Sequence, residues 1–237
     1  MAGYDELLAL VQQRRSIRRF RRDPVPDEVI HKLIEVARYA PSAGNAQPWE
    51  FIVVREQKTK DRIAEIYLEQ LQEKAKVEEL RPPEYRFWGK DSPSLSVGFR
   101  DAAALIVVIG DPRLVDAYPL RTKLDKGPQH IISSLANVVV TLHYAAASLG
   151  LASQYLSDSG SPFMEAMLKD LLGIPDPYRT YEIVCLGYAD MAPSARYVRS
   201  PEEFVHWERF DPIRRRSDAD VREYIQSRLR PQFKKVL

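Results

Sequence analysis

The chain of 237 residues has a single cysteine, Cys185, so no internal disulfide can staple it and its stability must come from packing. Cys185 lies inside the strand-like stretch over residues 181–187, whose aliphatic neighbours mark a buried thiol rather than a nucleophile. None of the ten glycines stands two positions from another, which excludes the G-x-G-x-x-G turn of a Rossmann unit, and the P-loop spacing is missing too. The four histidines, His31, His130, His143 and His206, show no metal-ligand spacing with each other or with Cys185, so no metal site is expected. Neither sign of charge is in surplus: 35 Lys and Arg oppose 33 Asp and Glu, leaving no global field to draw the chain to nucleic acid or a membrane surface. No apolar segment approaching a membrane span and no charged start before an apolar run stand out, so no membrane partner is expected and the cytoplasm is the default location. No Ser/His/Asp or paired-carboxylate constellation is visible, and no side chain is assigned as a catalytic group.

What is there is ordinary for a soluble domain: 45% hydrophobic and 29% charged residues. Hydrophobic periodicity predicts a helix carrying Tyr4, Leu7, Leu8 and Val11, and a second opened by Pro26 and Asp27, with Ile30, Leu33, Ile34 and Ala37 inward until Pro41 stops it. A strand follows over residues 49–54, with Trp49 read as core. Residues 58–80 predict a charged helix with Ile63, Ile66, Tyr67 and Leu71 inward, ended by Pro82 and Pro83. The next stretch, to about residue 100, is an aromatic-rich connection that either covers a pocket or is pinned to the core. Residues 103–109 read as a central strand. Ile132, Leu135, Val139, Leu142, Ala146 and Leu149 then form a helical seam, packed either within the core or against a second copy. A strand over 151–156, a helix with Met164 and Met167 inward, and a strand over 181–186 complete the core. The tail holds one more predicted helix over 218–229, with Val221, Tyr224 and Ile225 inward. The whole reads as one domain over residues 1–237, with a core of about 4–190 and an arm of about 191–237.

Two short pieces stand apart from this framework. Arg14, Arg15, Arg18 and Arg19 surround Ser16, a donor set that a phosphate dianion can use fully, although a solvated helix end would explain the same run. Asn45 and Gln47 pair amide donors with acceptors, suited to a heterocycle's edge, and Pro41 and Pro48 hold the backbone between them out of the helical region. Together they describe a site for a mononucleotide-like ligand. Without glycine-rich turns, the arginines are the credible phosphate holders.

The Arg-Arg-Ser-x-Arg start, the Val-Pro-x-Glu-x-Ile helix, the Ala-Pro-Ser turn and the Gln-Pro-Trp-x-Phe-x-Val-Val strand resemble the flavin-dependent nitroreductase family, densely over residues 12–54 and again near 131–158 and 181–201. The resemblance implies an α+β fold, with a central mostly antiparallel sheet flanked by helices and a C-terminal arm exchanged in a homodimer. It implies FMN as cofactor, NAD(P)H as electron donor, and small-molecule acceptors such as nitroaromatics or quinones in a ping-pong cycle. Carried onto this sequence, Arg14, Ser16 and Arg199 would hold the FMN phosphate and ribityl chain, with Arg15 or Arg196 replacing a lysine that relatives carry where this chain has Tyr197. Arg18 would approach the pyrimidine edge. Pro41, Ser42, Ala43, Asn45 and Gln47 would contact the flavin, some from the other subunit, and Tyr155, Leu156 and Ser157 would offer a backbone N–H to flavin N5. Iodotyrosine deiodinases and the FMN-fragmenting dimethylbenzimidazole synthases share parts of this pattern, and a non-enzymatic nucleotide-binding module is the alternative of another class.

Overall fold

A computed structural model describes residues 2–82, 86, 97–193 and 195–229. The aromatics Tyr85, Phe87 and Trp88 of the predicted connection, and Pro83, lie outside the described residues. The chain divides into two compact units, Met1–Leu71 with Val97–Ala192, and Gln72–Ser96 with Pro193–Leu237.

The helices are α1 (Ala2–Gln13), α2 (Asp27–Ala37), α3 (Gln57–Glu78), α4 (Leu120–Ser148), α5 (Pro162–Leu172) and α6 (Asp218–Tyr224), and the strands are β1 (Trp49–Val54), β2 (Ala104–Gly110), β3 (Ala152–Leu156) and β4 (Arg179–Gly187). The four strands form one sheet in the order β1-β2-β4-β3, and every neighbouring pair is antiparallel. All seven residues of β2 are buried, which explains its unbroken apolar sequence: both faces of the sheet are covered. On one face Ile106, Val108, Val184 and Leu186 pack with Leu33 of α2 and Leu142 of α4. On the other, Leu105, Val107, Ile183 and Cys185 pack with Ile63 and Ile66 of α3, Phe99, and Met164 and Leu168 of α5. Successive strand residues alternate between these two cores, as the period of two requires. Met164 is fully buried core, and burial pushes the Cys185 thiol well above its ordinary value, in keeping with an inert sulfur.

The long helix starts at Leu120, well before the expected Ile132, and carries Pro128 inside it; Leu135, Val139, Leu142 and Ala146 are buried within this chain, so of the two packings open to the seam the core one is observed. Only its ends, Ile132 at 54% and Leu149 at 37%, are exposed. The expected lack of a membrane-length apolar segment also fails, because residues 127–157 contain no Asp, Glu, Lys or Arg and α4 is long and apolar enough to cross a membrane by length and composition. Half of its most apolar window is buried against the rest of the chain. In the second unit, Val221 and Ile225 are exposed rather than inward, while half-buried Tyr224 packs on Tyr197 at 6.2 Å between ring centroids and under the guanidinium of Arg216. The helix expected to reach residue 229 ends as α-helix at Tyr224 and continues as a wider π-turn over Ile225–Leu229.

Leu142 faces the sheet from the middle of α4 with no exposure. Leu142→Ala should lower unfolding stability by about 2–5 kcal/mol in urea titrations; a loss of less than about 1 kcal/mol would mean that α4 does not carry the core.

Candidate functional site

Past Gln13 the chain leaves α1 in an extended course, and its backbone is stitched to the sheet at both ends. Ser16 forms a parallel bridge with Ser153, and the Ile17 N–H donates to the Ser153 carbonyl at 3.0 Å. Phe20 bridges Ala189, and the Arg21 N–H donates to the Tyr188 carbonyl at 2.9 Å. Ile17 and Phe20 are buried anchors in the second core, while Ser16 and Arg18, on either side of Ile17, stay half-exposed. Gly98 allows this course: a Cβ there would overlap the Arg18 carbonyl and crowd Cγ of Arg19 at 3.1 Å.

The arginine segment therefore lies against the start of β3, the strand that ends in Tyr155 and Leu156 and leads into Ser157. Burial draws the Arg18 guanidinium below its ordinary value, opposed by Tyr67 and Tyr155. Burial likewise pushes the Tyr67 hydroxyl up to about 12, with Asp158 adding to the effect and Arg18 opposing it. Arg18, Tyr67, Tyr155 and Asp158 are thus within electrostatic reach around the end of β3. Leu156 is buried in the second core, so only its backbone can serve a ligand.

Beneath the segment lies His143 of α4, 4% exposed, with Nδ1 2.7 Å from the Ser153 hydroxyl and its ring 5.5 Å from that of Tyr155. Its Nε2 is buried without a partner among the described residues. Burial, and secondarily the charge of Arg14, push its pKa down to about 4, so the imidazole is neutral at pH 7.

The second predicted piece belongs to α4. The Asn137 amide donates to the Pro41 carbonyl at 2.9 Å, and the Ala43 N–H donates to the Ser134 hydroxyl at 3.2 Å. Between the prolines Ser42 is extended and Ala43–Asn45 makes a short 3-10 turn that is not regular helix. Gly44, Asn45 and Gln47 then take positive φ of 59°, 55° and 46°. Two non-glycine residues in the left-handed region store strain of the kind that gathers at ligand clamps. The turn is held closed by the Gln47 N–H on the Ser42 hydroxyl at 3.1 Å, and by the Gln47 side-chain amide on Asn45 Oδ1 at 3.2 Å. Arg199 lies in the second unit, where its guanidinium donates to the Glu203 carbonyl at 2.7 Å and stacks over Phe204.

A cavity of about 720 Å³ opens beside Ser157. Ile131 and Leu135 of α4 form its apolar wall, and Asp158, Thr180 and Glu182 face them. A β-bulge between Val108 and Ile109 shifts the register there, and burial raises the Glu182 carboxyl above its ordinary value. Sequence reasoning missed Tyr67, Ser134, Asn137, His143 and Ser153. Polar side chains one turn apart at Ser134 and Asn137, and a histidine in the apolar stretch of α4, were the available signals.

The model of the family described as "Nitroreductase family" matches residues 11–188. The chain is a member of the nitroreductase family. A protein of Archaeoglobus fulgidus provisionally named NADH dehydrogenase/NAD(P)H nitroreductase is 32% identical over 184 residues, 78% of this chain and 86% of the relative. Among solved structures, an FMN-dependent nitroreductase from Clostridium difficile superposes with a TM-score of 0.62 at 20% identity, over 86% of this chain and 99% of the other, and so bears on fold alone. The rat iodotyrosine deiodinase 1 is 43% identical over only 65 residues, 27% of this chain and 23% of its own. Being a nitroreductase, the protein is an oxidoreductase of that family, and its fold is the α+β arrangement of an antiparallel sheet between helices.

The buried imidazole predicts a pH dependence of stability. The unfolded chain takes up the His143 proton near pH 6.5 and the native chain only near 4, so between these values the unfolded state binds more protons and stability falls as pH falls. The loss should approach about 1.4 kcal/mol per pH unit and about 3 kcal/mol over the window, measured by urea unfolding, and should flatten in His143→Asn. An equal slope in wild type and variant would reject the neutral, buried imidazole.

Proposed function

We propose that this nitroreductase is an FMN-dependent NAD(P)H oxidoreductase that passes electrons to small oxidised acceptors, nitroaromatic or quinone-like, by a ping-pong cycle. The observation that carries the reading is the stitching of the arginine segment to β3, because it puts Ser16 and Arg18 beside the strand that leads into Ser157.

The residues present fit a flavin mononucleotide. Arg14 and Ser16 supply charge-assisted and hydroxyl donors to a phosphate, with Arg15 adjoining them, and the family likeness adds Arg199 as a further candidate donor. Half-buried Arg18 puts a fixed positive charge where the pyrimidine edge would lie. The backbone of Tyr155, Leu156 and Ser157 offers N–H donors at the ring, and the neighbouring cavity is roomy enough for a flat ligand. When bound, FMN supplies the two-electron chemistry, which is why no protein nucleophile is required. The side chains position the ligands and exclude water.

The strained turn carrying Pro41, Ser42, Ala43, Asn45 and Gln47 serves as a second clamp, contributed by the other subunit of a homodimer. Exposed Tyr4, Leu7 and Leu8 on α1, with Ile132 and Val140 on α4, give such a dimer apolar surface to cover. The arm beyond residue 190 crosses to the partner, and the protein works in the cytoplasm. The deiodinase likeness stops at 65 residues, whereas the oxidoreductase relative is matched over 86% of its length.

The purified protein should be yellow, which a non-enzymatic binding module has no reason to be. Arg14→Ala and Arg199→Ala should each weaken FMN binding by about 10-fold or more, as loss of a charge-assisted bond of roughly 1.5–3 kcal/mol requires. FMN affinity unchanged in both variants would overturn the phosphate assignment. Steady-state kinetics should give parallel double-reciprocal lines, and converging lines would contradict a shared face for donor and acceptor.

A further inference from the structure

We propose that His143 is a positioning residue of the anion site, the tie by which α4 fixes the arginine segment in the register that a phosphate monoester needs. This rests on the reading that Arg14 and Ser16 hold the FMN phosphate.

A histidine on the buried face of a helix is ordinarily plain core, and an apolar side chain would fill this place without leaving Nε2 unpartnered in the interior. The compensating contact is Nδ1 on the Ser153 hydroxyl at 2.7 Å, and Ser153 is itself 2% exposed. Ser153 is also where the arginine segment joins the sheet: its carbonyl accepts from Ile17, and its backbone bridges Ser16. One residue therefore meets the imidazole through its side chain and the anion-binding segment through its main chain. The groups facing His143 are Arg14 from beyond α1, and Ser153 and Tyr155 from β3, so three of its neighbours belong to or adjoin the proposed flavin site. A neutral imidazole at this place supports the segment without adding a charge beside Arg14. An anion on Arg14 would relieve the field that Arg14 sets on the ring, so the nitrogens should register whether the phosphate site is filled.

FMN and riboflavin differ only in the phosphate, so their affinities separate an effect on the anion segment from general damage. His143→Leu should weaken FMN about 10-fold and leave riboflavin within about 2-fold, the scale of one lost buried hydrogen bond. His143→Asn, whose amide can stand in for Nδ1 toward Ser153, should restore FMN affinity. Equal losses for both flavins, or no loss for either, would overturn the proposal. Arg14→Ala tests the underlying reading by itself: if it separates FMN from riboflavin and His143→Leu does not, the positioning role fails alone, and if neither separates them the phosphate reading has failed. Should His143→Leu not fold, the wild-type protein decides: the imidazole nitrogen resonances of His143 should shift further on adding FMN than on adding riboflavin, whose ring can reach them only through Tyr155, and identical responses to the two would overturn the proposal.

Discussion

The pairing of residues 16 and 17 with Ser153 is the interaction on which the rest depends. It is short, one bridge and one 3.0 Å hydrogen bond, yet it lays a run of arginines that could have been a solvated helix end along the start of β3, beside the candidate site. Without it the charges would spread into water, where each contributes little. With it, burial of Ile17 and Phe20 holds the backbone, and Arg18 loses part of its hydration beside Tyr67 and Tyr155. The small residue at Gly98 is part of the same constraint, because any side chain there would push on the Arg18 carbonyl.

The sheet makes that pairing possible by being covered on both faces. Because α2 and α4 take one face and α3 and α5 the other, β2 can be apolar throughout and β4 from Ile183 onward, which leaves polar side chains to the ends of strands and to the segments laid along β3. The bulge in β4 and the cavity next to Ser157 lie at such an end. α4 links the parts of the site: Ser134 and Asn137 hold the strained turn, Ile131 and Leu135 wall the cavity, and His143 supports Ser153.

Much of this was legible in the residues. The β2 run, the α2 stripe and the turn residues before Trp49 announce themselves by period and composition, since each is a local constraint on a short segment. The start of α4 did not, because Gly127 and Pro128 are the poorest of helix formers, while the structure holds both within one long helix whose buried face continues past them. Nor did the role of its seam: spacing says that a face is apolar and not what covers it. Asn45 and Gln47 were found as polar groups, but their left-handed backbone comes from the closing hydrogen bonds of the turn and the support of α4. His143, Ser153 and Tyr67 lie far from the arginine run in sequence, and only the folded chain brings them to it. Val221 and Ile225 failed as inward residues because a helical stripe predicts a face, and among the described residues no core of the first unit's kind surrounds α6.

The central claim is that the segment paired with β3 binds the phosphate of a flavin. An electron-density map of crystals grown with FMN tests it most directly. The account predicts phosphate oxygens within about 2.7–2.9 Å of the Arg14 guanidinium, with the Ser16 hydroxyl in hydrogen-bonding contact. A flavin whose phosphate lies away from residues 14–18, or a map without flavin from protein saturated with it, would contradict the account.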